Sequence, residues 1–128
     1  MGVMKVLLVE DNAVLQRHVS ELISEIPGAQ IVNVVDNEAQ ASKWLLQNPD
    51  GWDLAVIDLF LKEGHGFNVL RTCRLRQKHQ RAVMFSNYNR YPVPQRALEE
   101  GADEFFDKVE GMDQLVAYVE RFTAGNHH

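Results

Sequence analysis

Short apolar runs alternate with longer segments of helical periodicity along almost the whole chain, and this alternation limits the fold more than any other feature. Three of the runs, at residues 6–9, 54–57 and 82–85, are almost entirely apolar. Such runs predict strands that are buried on both faces. A weaker fourth strand is predicted at residues 31–35, and a short fifth at residues 104–106.

The segments between and after these runs carry apolar residues at helical spacing, and local signals mark where the helices begin and end. Asn37 followed by Gln40 predicts a capping box at the start of the second helix. Gly101 predicts the end of the fourth helix. Five strands alternating with five helices predict an α/β fold, a (βα)5 doubly wound parallel sheet with helices on both faces.

Length and composition indicate one ordinary globular domain. We predict a domain over residues 1–124, followed by a tail at 125–128 whose Asn-His-His ending is interpreted as an expression-tag remnant. The net charge of -5 and the lack of a Lys/Arg-rich stretch argue against direct nucleic-acid binding. No apolar run approaches the ~20 residues needed to span a bilayer. Cys73 is the only cysteine, which excludes a disulfide and favours a cytoplasmic location.

Polar residues follow the central apolar runs directly. Glu10 and Asp11 follow the first predicted strand, and Asp58 follows the third. Ser86 follows the fourth strand, and Lys108 lies shortly after the fifth. Because ligands of such sheets bind outside the carboxyl ends of the strands, we expect these side chains to converge at one edge.

The charges of this set predict a metal-assisted phosphoryl site. Three carboxylates in one crevice repel one another, and a divalent cation would remove that conflict. Oxygen ligands without histidine or thiolate favour Mg²⁺ or Mn²⁺. Lys108 and Ser86 would then contact phosphate oxygens, while Asp58, central to the cluster, would be the nucleophile.

The chain resembles the receiver domain of two-component response regulators over nearly its whole length. The matching segments are VLLVEDN, AVIDLFL, MFSN and GADEFFDK, in that order. The resemblance implies a flavodoxin-like, CheY-like sheet of strand order 2-1-3-4-5. It also implies a phosphorelay protein that accepts a phosphoryl group from a phosphohistidine and switches a protein-interaction surface. Such a switch assists its own phosphorylation and dephosphorylation but is not a turnover enzyme.

The resemblance assigns the acidic residues individual roles. Asp58 would be the phosphoacceptor and, with Asp11, a direct ligand of Mg²⁺ or Mn²⁺. Glu10 would act on the metal through water, and the backbone carbonyl of Phe60 would complete the protein's ligands.

The resemblance also implies a switch and a signalling surface. Ser86 would follow the phosphate, Lys108 would pair with it, and Phe105 would be the switch aromatic. The altered surface would lie on the fourth helix, fifth strand and fifth helix. Its residues here are Arg90, Tyr91, Arg96, Glu99, Tyr118 and Arg121.

The implied partners are proteins. The donor would be a sensor histidine kinase or a histidine phosphotransfer protein. The target would be a downstream protein, or a C-terminal output domain if the chain was cut from a longer one. We expect a monomer or a weak phosphorylation-dependent dimer that contacts neither nucleic acid nor membrane.

Three departures from the family pattern bear on the lifetime of the phosphate. Val109 stands where many receivers have proline, and Asn87 where a small residue is common. Phe60 is also bulky. We hypothesise that Asn87 and Phe60 crowd the path of the hydrolytic water and slow self-dephosphorylation.

Three alternative interpretations remain at this stage. A flavodoxin-like FMN carrier needs a hydroxyl- and glycine-rich loop after the first strand, where Glu10 and Asp11 would instead repel phosphate. A haloacid-dehalogenase-type phosphatase needs a second Asp at the position of Phe60. A receiver-shaped binding module that is never phosphorylated is the third.

Overall fold

Five strands alternate with five helices along residues 3–125, the part of the chain that this computed structural model describes, with side chains as far as Thr123. The strands are β1 Met4–Val9, β2 Ala29–Val35, β3 Leu54–Ile57, β4 Arg81–Ser86 and β5 Glu104–Asp107. The helices are α1 Ala13–Ser24, α2 Glu38–Gln47, α3 Gly66–Cys73, α4 Val93–Glu99 and α5 Met112–Gly125. Every predicted element is present. Of the predicted tail, residues 126–128 lie outside the described residues.

The strands form one parallel sheet in the order β2-β1-β3-β4-β5, which confirms the predicted order. Val9 at the end of β1 pairs with Ile57 at the end of β3. Glu10 and Asp58 directly follow this pair, so the register brings them side by side. Ile57 in turn pairs with Met84 of β4. The carboxyl ends of the three central strands therefore meet at one edge of the sheet.

The core has two layers, one on each face of the sheet. Leu7 and Val9 of β1 enter the layer covered by α2, α3 and α4, while Val6 and Leu8 enter the layer covered by α1 and α5. Successive strand residues point to opposite faces, so both faces of a central strand must be apolar. Within residues 3–125, no helix is long and apolar enough to cross a membrane.

Helices α1 and α2 both start near the edge of the sheet that carries the carboxylates, and each is capped by an asparagine side chain. Asn12 caps α1 by accepting a 3.0 Å hydrogen bond from the backbone N–H of Leu15. Asn37 caps α2 by accepting one of 2.9 Å from the N–H of Gln40, which is the Asn37 half of the predicted capping box. Because an N-cap sets the entry of the chain into its helix, Asn12 limits the freedom of the preceding Asp11.

Helix α4 is held at its C-terminal end. The Arg71 guanidinium bonds the Glu100 carboxylate (Nε–Oε2 2.6 Å), and Arg74 donates to the Glu100 carbonyl (Nε–O 3.1 Å). Gly101 then reverses the chain with φ +110°, which confirms the predicted stop. The N-terminal end has Pro92 as its cap residue, which makes no side-chain capping bond. The two ends of α4 are therefore fixed very unequally.

Candidate functional site

Three carboxylates gather at the ends of β1 and β3. Glu10, Asp11 and Asp58 each place a carboxylate oxygen within 4.8 Å of the others. Glu10 is 1% exposed and Asp58 7%, whereas Asp11 is half-buried. The backbone N–H of Asn12 donates to Glu10 Oε2 (3.0 Å) and fixes the orientation of that carboxylate. The cluster predicted from the strand ends is thus formed.

Lys108 supplies the positive charge in this cluster. Its Nζ lies 2.7 Å from Glu10 Oε1 and 2.9 Å from Asp58 Oδ2. Its backbone N–H donates to the carbonyl of Ser86 (3.1 Å), which places it at the edge where β4 and β5 end. One ammonium therefore bridges the carboxylates of two different strands.

The site holds more negative charge than Lys108 neutralises. Burial raises the pKa of Glu10 to about 7, although hydrogen bonds from Lys108 and Asn12 oppose the rise. Burial likewise raises the pKa of Asp58 against the effect of Lys108. Burial works to lower the pKa of Lys108, but its bonds to Asp58 and Glu10 outweigh this and raise it. These directions describe a site that favours additional positive charge.

The donor set fits Mg²⁺ or Mn²⁺. All three converging side chains are carboxylates, the oxygen ligands that these hard cations prefer. Half-buried Asp11 leaves the cluster open on one side. Phe60 lies two residues beyond Asp58 in the loop after β3, and its backbone is paired with that of His65. Its carbonyl as a ligand remains a prediction.

Ser86 lies at the end of β4 and is fully buried. Its hydroxyl accepts a hydrogen bond from the backbone N–H of Tyr88 (Oγ–N 3.1 Å). Among the described residues it makes no hydrogen bond to Asp58. The structure therefore brings Ser86 to the edge, with its hydroxyl engaged by the following loop.

The residues of the predicted signalling surface differ in how far they are exposed to solvent. Phe105 is half-buried and packs on the core layer of α2, α3 and α4. Tyr118 was predicted to lie on the surface, and this is wrong, because it is only 6% exposed. Its ring packs edge-on against Phe106 and Phe122, with centroid distances of 5.5 and 4.8 Å. The other predicted members are exposed: Arg90, Tyr91, Arg96, Glu99 and Arg121.

Two contacts at the site were not predicted. Tyr88 packs against Phe60 with ring centroids 4.7 Å apart, and both rings are about half exposed. Gln16 of α1 donates to the Glu10 carbonyl (Nε2–O 2.6 Å). Tyr88 follows the bulky Asn87, and that local crowding was the only sequence signal for the aromatic contact. Nothing in the local pattern marks Gln16.

Comparison with known proteins agrees with this fold. A family model described as response regulator receiver domain matches residues 6–120. The nitrate/nitrite response regulator protein NarL of Escherichia coli is 29% identical over 120 residues, which are 94% of this chain and 55% of NarL. The chain thus spans about half the length of the curated relatives that it matches.

Solved structures show the same fold at lower identity. The signal receiver domain of the putative response regulator NarL from Mycobacterium tuberculosis superposes with a TM-score of 0.83 at 20% identity, covering 98% of this chain and 99% of that one. A chain of the CheX–CheY–BeF3–Mg²⁺ complex from Borrelia burgdorferi gives 0.82 at 18% identity, covering 93% and 88%. The strand order, the edge cluster and the family match agree, and the chain belongs to the response regulator receiver domain family.

Proposed function

We propose that this receiver domain accepts a phosphoryl group on Asp58 from a phosphohistidine and thereby switches a protein-interaction surface. One observation carries the proposal: a buried carboxylate at the centre of an acidic cluster, bonded at 2.9 Å to an ammonium whose side chain is 10% exposed. Such a site neutralises a transferring phosphoryl group. The donor would be a sensor histidine kinase or a histidine phosphotransfer protein, in a cytoplasmic phosphorelay.

The transfer follows from the chemistry of the two partners. A carboxylate oxygen of Asp58 forms a bond to phosphorus as the phosphorus–nitrogen bond of the donor breaks, and the donor imidazole keeps the electron pair. Lys108, whose Nζ lies 2.9 Å from Asp58 Oδ2, would follow the charge onto the phosphoryl oxygens. Mg²⁺ or Mn²⁺, held by Glu10, Asp11, Asp58 and the Phe60 carbonyl, would neutralise the remaining charge. The domain, residues 1–124, assists this step without being a turnover enzyme.

Switching would follow from Ser86. Its hydroxyl would leave the Tyr88 N–H for the new phosphate, and Phe105 would take up the space that this movement opens. The phosphoryl group would thus shift an existing equilibrium between two conformations. The signal would reach a downstream protein, or an output domain in a longer chain, through the surface near α4 and α5.

Incubation with acetyl phosphate and Mg²⁺, followed by intact-protein mass spectrometry, tests the proposal. We expect a gain of one phosphoryl group that is abolished in Asp58→Ala and when EDTA removes the metal. Asp113→Ala, which removes an exposed carboxylate on α5, should retain the adduct and serves as the matched control. The proposal fails if wild type gains no phosphoryl group or if Asp58→Ala still does. The first failure would favour the binding module that is never phosphorylated.

A further inference from the structure

The loop between β3 and α3, residues 59–65, makes a tight reversal directly after Asp58. The backbones of Phe60 and His65 face each other in an antiparallel pair. The N–H of Gly66 donates to the carbonyl of Leu59 (2.6 Å) and closes the reversal. The position of the Phe60 backbone is therefore tied to that of His65.

Glu38, the first residue of α2, holds this loop from the other side. Its Oε1 accepts hydrogen bonds from the backbone N–H of His65 (3.1 Å) and from Asn68 Nδ2 (3.0 Å). Its own backbone N–H donates to the carbonyl of Glu63 (3.0 Å). These three bonds, here called the Glu38 contacts, join the start of α2 to the loop and to the first turn of α3.

The fit around Glu38 is close. Gly64 has φ +83°, and a Cβ atom added there would overlap the Glu38 side chain. Lys62 adds a second attachment, because its N–H donates to the Asp36 carbonyl (3.1 Å) and its Nζ lies 3.3 Å from Asp36 Oδ2. The salt bridge is exposed and contributes little by itself. The backbone bonds therefore define where the loop lies.

The sheet order shows why these bonds matter for the acidic cluster. Strands β2 and β3 lie on either side of β1, so a link between the segments that follow them spans the end of β1. Glu10 and Asp11 follow β1 at that point. Glu38 itself is outside the group of carboxylates whose oxygens lie within 4.8 Å of one another. Its observed hydrogen bonds to His65 and Glu63 connect it to the loop that follows Asp58.

We propose that Glu38 is a positioning residue for the metal site, which sets the affinity for Mg²⁺ by fixing His65 and, through it, the Phe60 carbonyl. This inference rests on the proposed function. Residues that orient metal ligands from behind change metal affinity strongly, since a misplaced ligand oxygen loses much of its bond to the cation. The ligand in question is the backbone carbonyl of Phe60. Its position depends on how the loop backbone is held, because a carbonyl cannot be oriented by a side-chain rotamer.

The test is a Mg²⁺ titration of the folded protein followed by NMR shifts of backbone amides. We expect Glu38→Ala to weaken Mg²⁺ binding by roughly tenfold. Glu63→Ala removes the same charge from the loop that Glu38 contacts, but the exposed Glu63 side chain makes no hydrogen bond or ion pair among the described residues. It should stay within about twofold of wild type, as should Glu38→Gln, which keeps the acceptor oxygen.

Further measurements separate positioning from a general loss of structure. Under acetyl phosphate, Glu38→Ala should need more Mg²⁺ for its half-maximal rate but reach the wild-type rate at saturation. Its His65 amide should exchange faster with deuterium while the thermal transition persists. If Glu38→Ala does not fold, Gly64→Ala, which displaces Glu38 from the loop side, should weaken Mg²⁺ binding in its place.

The possible failures are distinguishable. Wild type that shows no Mg²⁺-dependent shifts would overturn the proposed function together with its metal site. Wild type that binds Mg²⁺ while Glu38→Ala, or its substitute Gly64→Ala, binds equally well would overturn the positioning role alone. Equal weakening in Glu63→Ala would also overturn it, because the effect would then be one of charge.

Discussion

The two loops that flank Asp58 differ in how they are held. The backbone of Glu63 and His65 in the β3–α3 loop is bonded to Glu38 at the start of α2, and that of Lys62 to Asp36 just before it. The β4–α4 loop, residues 87–92, is exposed along its whole length. Apart from the bond between Tyr88 and Ser86, its described backbone hydrogen bonds stay within it or reach only Val93 and Arg96 at the start of α4.

This difference separates two requirements of a switch. A metal site needs ligands that stay in place, and the fixed loop carries the Phe60 carbonyl. A conformational switch needs a segment that opens at low free energy, and segments with few buried contacts and exposed backbone meet that need. Ser86 stands at the junction of the sheet with the open loop. The proposed phosphoacceptor, Asp58, can therefore have a rigid loop on one side and a movable loop on the other.

The largest single effect should appear in cysteine labelling on the helices that follow the two loops. Cys73 of α3 is 1% exposed, and burial raises the pKa of its thiol to about 12. The thiol stays protonated at pH 8, so iodoacetamide should label it roughly 1,000-fold more slowly than free cysteine, with a rate that rises with pH. Ala97→Cys in a Cys73→Ala background places a thiol at an equally buried site of α4.

That second thiol should react about tenfold faster than Cys73, because α4 follows the open loop and opens more readily. Mass spectrometry of timed samples measures both rates. Equal labelling rates would mean that α3 and α4 open equally often. The difference in mobility would then be confined to the two loops.

Hydrogen exchange should show the difference in the loops themselves. The amides of Lys62, His65 and Gly66 each have a hydrogen-bond acceptor, whereas those of Arg90 and Tyr91 have none among the described residues. We expect the first group to exchange on the order of 100-fold more slowly, after correction for intrinsic rates. Exchange followed by NMR gives each rate, and similar protection in both groups would contradict the distinction.

A side chain at position 66 should disrupt the packing of the β3–α3 loop. A Cβ on Gly66 would overlap the carbonyl oxygen of Asp58 and lie 2.9 Å from Ile57 Cγ2. Because backbone must shift to admit it, Gly66→Ala should lower the free energy of unfolding by about 2–3 kcal/mol. Asn89→Ala in the open loop should stay within about 0.5 kcal/mol, since its side chain is exposed. Urea unfolding compares them, and a larger loss in Asn89→Ala would reverse the expectation.

The smallest effect concerns the contact between the two loops. Phe60 and Tyr88 pack across the site, whereas Asn87 is exposed and its side chain makes no described hydrogen bond. Tyr88→Ala should therefore speed loss of phosphate about threefold by admitting water, and Asn87→Ala should change it little. The decay of the phosphorylated mass after removal of acetyl phosphate measures both. An effect of Asn87→Ala alone would instead support the hypothesis that Asn87 crowds the path of the hydrolytic water.

The sequence was sufficient for the parts of this molecule that follow from pattern. Apolar runs located the strands, and the parallel sheet required the residues after them, from Glu10 to Lys108, to meet. The boundaries shifted by a few residues because Met4 and Ala29 extend the pairing of β1 with β2 beyond the apolar runs. The positions of the strands and the meeting of the residues after them follow from hydrophobic periodicity and sheet topology alone.

What escaped prediction depends on how loops fold over one another. The role that we propose for Glu38 requires the reversal at Phe60 and His65, which are more than 20 residues away in sequence. Tyr118 was misplaced because one face of α5 is wide enough to bury it with Leu115 and Val119. The bond from the Tyr88 N–H to the Ser86 hydroxyl could not be predicted either, because it depends on the geometry of the loop after β4.

The unequal ends of α4 have a mechanical consequence. Arg71 and Arg74 fix its C-terminal end at Glu100, so a tilt of the helix would turn about that end as a lever turns about its pivot. A helix of seven residues is about 10 Å long, and a rotation of roughly 10° would carry its far end about 2 Å. That far end adjoins the loop carrying Tyr88 and Tyr91. Small displacements near Ser86 would thus be transmitted to an exposed aromatic surface, with the arginines as the fixed point.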